Sequence, residues 1–336
     1  MILKILRIVL LIFGTVAWAV ASLEAAAAIQ VYNVEQLYTA IDQANRQGGH
    51  TTILLADGAY QIRDTLVLKS SHIALIGKSQ NREKVILHGD AMSATAHLGN
   101  LIVIENDDIT LANLTLERCR WHLVQIRGEA DADRVHIKNC IFRDSYQQML
   151  KATVDSHHLS VSADDAMIEN NLFEYSAGIG PQYYIGGIDA HASKNWIVRN
   201  NVFKYIISPG KAVAEFAIHF WNHSADNLVE DNTIIDCDRG IGFGMQGKGN
   251  RGGIIRSNYI YHSENAGKFA DVGIALADSP ESKITGNTVI QKHSFPWAIE
   301  YRFPTTNHVE ITGNAVNMPI KERDGAQATV ENNHKL

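Results

Sequence analysis

Two short apolar segments in the middle of the sequence carry side chains that can transfer protons. Asp189 and His191 lie two residues apart in GIDAH, and His219, Trp221 and His223 alternate in HFWNH. Because side chains two positions apart on a β-strand lie on the same face, each segment presents these residues on one surface. An aspartate beside a histidine orients the imidazole ring, an arrangement that suits general acid or base catalysis. These residues are therefore candidates for a proton-transfer site.

A repeat of 26 to 31 residues places these segments in a regular framework. Its units are IKNCIF, IENNLF, VRNNVF, VEDNTI, IRSNYI, ITGNTV and ITGNAV. Their fourth position is occupied by Cys140, Asn171, Asn201, Asn232, Asn258, Asn287 and Asn314. The alternating apolar residues have the period of a β-strand, and units too short to bury an apolar face alone stack as a parallel β-helix. A propeller needs longer units, and a leucine-rich repeat needs a leucine spacing that is missing. The sequence predicts one all-β solenoid domain over residues 29–336.

A short amphipathic helix is predicted in an N-terminal cap over residues 29–50. Asn33 followed by Gln36 approximates a capping box, and the helix is expected to end at Gly48. Its apolar face consists of Val34, Leu37, Ile41 and Ala44. Such a helix shields the first rung of a solenoid from pairing edge to edge with another chain.

The first residues have the pattern of a secretory signal peptide. Lys4 and Arg7 precede an apolar run from Ile8 to Trp18, and small residues follow. The run is shorter than the roughly 20 apolar residues that span a bilayer. We therefore expect residues 1–21 to be removed, with cleavage as late as residue 28, and no permanent membrane anchor. The mature protein is expected in the periplasm or outside the cell, with the periplasm preferred.

Charge and cysteine content exclude several classes of function. The formal net charge is -6, and it becomes -8 when the two basic residues of the signal peptide are lost. This acidity argues against nonspecific nucleic-acid binding. The three cysteines, Cys119, Cys140 and Cys237, show no CxxC spacing, so buried free thiols are expected in place of a redox or zinc motif. We expect a monomer.

A second strand in each repeat carries the candidate site residues. Alignment of these strands gives one outward column of Gln125, Lys151, Asp189, His219, Gly242, Ala275 and Glu300. The companion column contains Arg127, Thr153, His191, Trp221, Gly244, Ala277 and Arg302. Neighbouring rungs lie about 4.8 Å apart, so Lys151 is expected to join the aspartate and the histidines in one patch. The glycines and alanines below the patch are expected to form the floor of a groove for an extended chain.

The segment VEQLYTAIDQANRQGGHTTILLADGAY resembles the start of pectate-lyase-like right-handed parallel β-helix proteins, which include alginate lyases and chondroitinase-like enzymes. In that superfamily a helix likewise precedes an ILLADGxY strand and turn. The resemblance covers almost the whole mature chain and implies a right-handed, single-stranded β-helix. It also implies an acidic, uronate-containing polysaccharide as partner and a lyase that acts by β-elimination.

The implied reaction assigns a role to each candidate. A base removes the proton next to the uronate carboxylate, and a cation neutralises the charge that develops there. The base candidates are Lys151, His191 and His219, and the neutralising candidates are Arg127 and Arg302. Asp189 is expected to orient a histidine or to hold the lysine charged. Tyr183 and Tyr184 are expected to return a proton to the leaving oxygen. Further substrate contacts are predicted at Trp221, His223, Arg239 and Glu300, with the tryptophan as a platform for sugar stacking.

Other chemistries remain open from the sequence. GIDAHAS resembles the DPHD signature of mannuronan C5-epimerases, but Ala190 replaces its proline and Ala192 replaces its second aspartate. Epimerases and lyases share the first proton abstraction, so epimerase is the second choice. A hydrolase needs two carboxyl groups flanking the bond, and the outward columns offer no such pair on adjacent rungs.

Two further possibilities concern metals and binding without catalysis. Asp189, His191, His219 and His223 have suitable side chains for a transition ion, and calcium at scattered carboxylates is a possible cofactor, although no metal motif is present. A solenoid also offers a long face for simply holding a glycan, as in an adhesin. Clustered acid and base groups beside a single tryptophan favour an enzyme over such a module.

Overall fold

Stacked parallel strands form a right-handed β-helix in the computed structural model, which describes residues 28–264 and 266–336. The predicted signal peptide lies outside these residues. In the part that the structure describes, no helix is long and apolar enough to cross a membrane. The strands form three long sheets of 12, 10 and 11 members and one two-stranded sheet, so the predicted solenoid is confirmed.

The strand bounds follow the three faces of the solenoid. Sheet 1 contains Ile29–Val31, Thr51–Leu55, Ile73–Gly77, Thr110–Ala112, His136–Lys138, Met167–Glu169, Ile197–Arg199, Leu228–Glu230, Ile254–Arg256, Lys283–Thr285, Val309–Thr312 and Ala328–Glu331. Sheet 2 contains Leu66–Leu68, Ile102–Ile104, Val124–Arg127, Leu150–Thr153, Ile188–His191, Phe216–Trp221, Arg239–Phe243, Ile274–Ala277, Ile299–Arg302 and Ile320–Arg323. Sheet 3 contains Gly58–Gln61, Val85–His88, Thr115–Cys119, Ile141–Ser145, Leu172–Glu174, Val202–Lys204, Thr233–Ile235, Tyr259–His262, Thr288–Gln291, Ala315–Val316 and His334–Lys335. The small sheet pairs Ser224–Ala225 with Asn250–Arg251.

The cap contains an α-helix at Val34–Arg46, as predicted. Asn33 accepts a hydrogen bond from the Gln36 backbone, and the Gln36 side chain accepts one from the backbone of Tyr32, one residue before the expected partner. The helix buries Leu37, Ala40, Ile41 and Ala44. Short 3-10 helices lie at Arg82–Lys84 and Gly128–Ala130.

The repeated asparagines form a ladder of buried hydrogen bonds along the solenoid. From Asn171 to Asn314, each side-chain amide donates to the amide oxygen of the next asparagine at 2.9–3.0 Å, and the chain of bonds ends at Asn333. The residue before each ladder asparagine has a left-handed backbone conformation, for example Asn200 at φ 55° and Gly286 at φ 65°. The ladder residue is therefore selected for its amide.

Apolar side chains from neighbouring rungs stack on one another in the interior of the solenoid. The Phe142, Phe173 and Phe203 rings stack with centroids 4.4 and 4.6 Å apart. The three cysteines are buried as free thiols, as predicted, and burial raises the pKa of each one. Because each rung buries its apolar face against two neighbours, strand register is fixed along the whole stack.

We predict that Asn232→Ala lowers the free energy of unfolding by about 3 kcal/mol, because it leaves buried backbone and amide groups without partners. Asn333→Ala is the matched control, since this half-exposed last member of the ladder makes the same kind of bonds where water can replace them. We expect less than half the loss there. Urea denaturation of both variants measures the difference, and equal losses would contradict a stabilising role for the buried ladder.

Candidate functional site

Sheet 2 aligns the candidate residues in the register that the sequence predicts. Lys151 pairs with Asp189, Asp189 with His219, and His191 with Trp221 across neighbouring strands. We call these five residues the acid–base cluster. Lys151, Asp189 and His219 are more than nine-tenths buried, although their strand positions face away from the interior. Neighbouring parts of the chain therefore enclose these three residues and reduce their contact with water.

Asp189 is the centre of the cluster. One carboxylate oxygen accepts a hydrogen bond from the Lys151 ammonium, and the other accepts one from the Trp221 indole at 2.6 Å. Burial by itself raises the pKa of Asp189, but the neighbouring His191 ring and the positive charge of Lys151 outweigh it and hold that pKa well below its usual range. The group is therefore a carboxylate bonded to the Lys151 ammonium.

His219 is held neutral with one nitrogen available for a proton. Burial lowers the pKa of its ring to about 4. Nε2 lies 3.1 Å from the carbonyl oxygen of Gly244. Because a carbonyl oxygen only accepts hydrogen bonds, Nε2 carries the proton and donates it. Nδ1 of the neutral ring is consequently an acceptor. Of the three base candidates, His219 is the one whose unprotonated ring nitrogen accepts no hydrogen bond from the residues that the structure describes.

His191 takes a different orientation. Its Nδ1 lies 3.2 Å from the side-chain amide of Asn222, which donates to it, so Nε2 carries the proton of the neutral ring. This Nε2 is 3.8 Å from Asp189, too far for a hydrogen bond, and within residues 28–264 and 266–336 it has no other partner. The cluster thus contains one buried donor that no protein group satisfies.

Trp221 is half-buried and packs against other members of the cluster, and its role as a platform for sugars stays a prediction. Its ring lies parallel to His219 at a centroid distance of 5.4 Å, and His191 approaches it at 4.3 Å. The Lys248 ammonium lies 5.3 Å from the ring centroid. With these neighbours and the bond to Asp189, the indole serves to fix the positions of the groups around it.

The predicted groove floor is partly covered. A Cβ atom added at Gly242 would lie 2.8 Å from the Phe216 ring, which therefore fills the space over the missing side chain. Phe216 belongs to a small apolar cluster with Val272, Ala275 and Phe295. The Phe216 ring thus covers Gly242 on the strand next to His219, and it reduces the open space for a ligand there.

Both predicted neutralising arginines are paired with acids away from the cluster. Arg302 binds Asp324 at 2.7 Å and lies three rungs below His219 in sheet 2, about 14 Å at the usual strand spacing. Arg127 binds Glu105 at 2.6 Å and Glu129 at 3.0 Å. Their charges are compensated locally. Arg127 lies on the strand next to that of Lys151, and its neutralising role stays a prediction.

The other predicted contacts lie around the edges of sheet 2. Arg239 pairs with Asp271 at 3.0 Å, and Glu300 pairs with Arg323 at 2.7 Å. Tyr183, Tyr184 and His223 do not belong to the acid–base cluster. Tyr183 and Tyr184 are exposed in the loop before Ile188–His191, and His223 lines a separate cavity of about 520 Å³.

Three polar residues that precede the strands of sheet 2 were not among the predicted site residues. Burial raises the pKa of Glu215, which lies within electrostatic reach of Arg239 and Asp189, and burial lowers the pKa of His122 to about 4. Gln148 is buried, and both atoms of its side-chain amide lack a hydrogen-bond partner in the described part of the chain. Extending the strand alignment a few residues toward the N-terminus would have revealed this row.

No three His, Cys, Asp or Glu side chains converge on a metal-binding geometry among the described residues. The four residues considered for a transition ion are divided between the acid–base cluster and the cavity beside His223. The site as it stands contains acid, base and cationic groups of the protein itself.

Comparison with solved structures identifies several similar β-helices. An alginate lyase from Paenibacillus sp. str. FPU-7 is 15% identical, with a TM-score of 0.65 over 90% of this chain and 99% of that chain. The Streptococcus pneumoniae surface protein and adhesin PfbA is 15% identical, with a TM-score of 0.53 over 90% and 93% of the two chains. The catalytic domain of an α-1,3-glucanase is 12% identical, with a TM-score of 0.50 over 89% of this chain and 58% of that chain. At these identities the likeness establishes the fold alone.

A search of curated protein sequences finds no match to the chain. The family model described as "Right handed beta helix region" matches residues 97–334, which include every strand of the acid–base cluster. The stacked parallel strands, the asparagine ladder and this match agree, and the chain belongs to the right-handed β-helix family.

Proposed function

We propose that the protein is a polysaccharide lyase that cleaves an acidic, uronate-containing chain by β-elimination at the acid–base cluster. The observation that carries this proposal is the neutral, buried His219 beside the Lys151–Asp189 ion pair on one face of the β-helix. A β-helix of similar fold is an alginate lyase, which agrees with the substrate class. We also propose that the protein is exported, on the basis of residues 1–21.

In the proposed reaction His219 is the base. Its Nδ1 accepts the proton on the carbon next to the uronate carboxylate, and the electron pair of that bond forms the new carbon–carbon double bond. The bond to the glycosidic oxygen breaks at the same time. Lys151, whose ammonium donates to Asp189, stabilises the negative charge that grows on the substrate carboxylate.

The leaving oxygen requires a proton. The predicted donors are the phenols of Tyr183 and Tyr184, which are exposed in the loop before the strand Ile188–His191. Glu215 is a further candidate, because burial raises its pKa and so favours the protonated carboxyl. A donor on the opposite side of the substrate from His219 completes the transfer without moving the base.

Epimerisation begins with the same proton abstraction and differs only in the return of the proton to the other face of the sugar. A second alternative is a protein that binds a polysaccharide without catalysing a reaction, since a similar β-helix is a surface adhesin. Both alternatives are outcomes of the experiment below.

The first prediction concerns activity. Purified protein mixed with alginate, pectate, glucuronan and glycosaminoglycans is expected to raise the ultraviolet absorbance of the conjugated double bond on one polymer. His219→Gln is expected to lower kcat at least 100-fold, because general base catalysis contributes about 10²–10⁴. His334→Gln, an exposed histidine in the last strand of sheet 3, is the control and should retain full activity. No absorbance change on any polymer would exclude the lyase, and NMR of the products would then separate epimerisation from binding.

The second prediction concerns the protonation of His219. Since burial lowers its pKa to about 4, the ring should stay neutral from pH 7 to pH 5 with the proton on Nε2. Two-dimensional nitrogen–proton NMR spectra report the tautomer, and His219→Gln assigns the resonance. A ring that becomes charged between pH 7 and pH 6 would contradict this arrangement.

The third prediction separates stability from chemistry at the ion pair. Lys151→Met leaves a buried carboxylate without its main counter-charge and is expected to cost about 3–5 kcal/mol of unfolding free energy. The double variant Lys151→Met, Asp189→Leu removes both charges and should recover most of that loss. Both variants are expected to be inactive. Urea denaturation and the absorbance assay give the two readouts, and an active double variant would refute the catalytic role of the pair.

A further inference from the structure

A short hairpin at residues 244–249 borders the acid–base cluster. Met245 and Lys248 exchange backbone hydrogen bonds at 2.8 and 3.1 Å, and the carbonyl oxygen of Lys248 also accepts a bond from Asn222 at 3.0 Å. Gly247 provides the positive φ of 72° that the turn requires, and its N–H donates to the Asp278 carboxylate. The backbone of Lys248 is therefore fixed on both sides.

The hairpin contributes two groups to the cluster. Its first residue, Gly244, supplies the carbonyl oxygen that fixes the tautomer of His219. Lys248 extends its ammonium to 5.3 Å from the centroid of the Trp221 ring, while the side chain stays exposed. A cation over an indole gains roughly 0.5–1 kcal/mol at such a site, enough to favour one position of the side chain.

Lys248 differs from the other cationic residues discussed above in having no ion-pair partner in the described part of the chain. Lys151 and Asp189 compensate each other, and Arg127, Arg239 and Arg302 are each paired with a carboxylate. Lys248 has no acidic group within ion-pair distance among the residues that the structure describes. It therefore presents to solvent, beside the cluster, a positive charge without an ion-pair partner from the described residues, on a backbone that is held in place, while the Asp278 carboxylate lies at Gly247 of the same hairpin.

We propose that Lys248 binds a carboxylate of the saccharide and makes the site prefer acidic over neutral chains. This inference rests on the proposed function in its substrate class, and it assigns the recognition of charge to a residue outside the reacting groups. Within the cluster the charges of Lys151 and Asp189 offset each other and His219 is neutral, so these three residues offer no net charge to attract an anion. An anionic sugar that approaches Trp221 meets the Lys248 ammonium first.

The experiment measures binding apart from turnover. All variants carry His219→Gln, and isothermal titration calorimetry follows trimers of mannuronate, guluronate and galacturonate together with their carboxyl-reduced counterparts. Lys248→Met is expected to weaken binding of the preferred acidic trimer at least tenfold and to leave the reduced trimer unchanged. Lys248→Arg should retain most of the affinity, since it keeps the charge.

Lys292→Met is the matched control. Lys292 is also an exposed lysine whose ammonium lies over an aromatic ring, 5.6 Å from the Tyr261 centroid, but Tyr261 belongs to sheet 3. This variant should bind both trimers like its parent. If Lys248→Met weakens the acidic and the reduced trimer equally, or neither, the charge-recognition role is overturned.

The two proposals fail in different ways. A loss of acidic-trimer binding in Lys248→Met, with no unsaturated product from the otherwise unmodified protein, supports this inference and removes the lyase. Unsaturated product with undiminished binding in Lys248→Met keeps the lyase and removes the inference. A protein that binds none of the acidic trimers overturns the role of Lys248 directly.

Discussion

The parallel register between successive rungs is the constraint on which the structure depends. A shift of one residue would turn every outward side chain of a strand inward, because side chains alternate with a period of two. The buried asparagine ladder opposes such a shift, since each amide is bonded both to its neighbour in the ladder and to the backbone. Through this register Asp189 lies opposite Lys151 on one side and opposite His219 on the other.

Burial then decides what each polar group in the cluster can be. A carboxylate enclosed in protein requires a counter-charge and hydrogen bonds, and Asp189 receives both from Lys151 and Trp221. A histidine enclosed beside them favours its neutral form, and the carbonyl oxygen of Gly244 determines which nitrogen keeps the proton. The same enclosure gives two residues of one type different states, since His191 is oriented by Asn222 with the opposite nitrogen protonated.

The repeat was sufficient to predict the solenoid and the register of the outward columns, because these follow from periodicity and from the size of each unit. The helical cap followed from its capping residues and its apolar face. The contacts of individual side chains could not be predicted from the repeat. Phe216 begins the strand Phe216–Trp221, but only the position of its ring in the structure shows that it covers Gly242. Arg302 occupies the predicted column, yet its partner Asp324 comes from a later turn that the repeat did not identify. Lys248 was missed for a similar reason, since it lies in an irregular turn where the alternation of a strand gives no guidance.

A pKa of about 4 makes His219 a weak base in the free protein, and the proposed reaction requires it to become stronger when the substrate is bound. A uronate carboxylate placed between Lys151 and Lys248 would add a negative charge near the imidazole ring. Such a charge favours the protonated ring and raises its pKa, whereas a neutral sugar in the same position would leave it low. Asp189 already contributes in this direction across one strand spacing. In the proposed reaction, recognition of the acidic group and activation of the base are consequently one electrostatic event, and the enclosed cluster stays inert until an anionic substrate completes it.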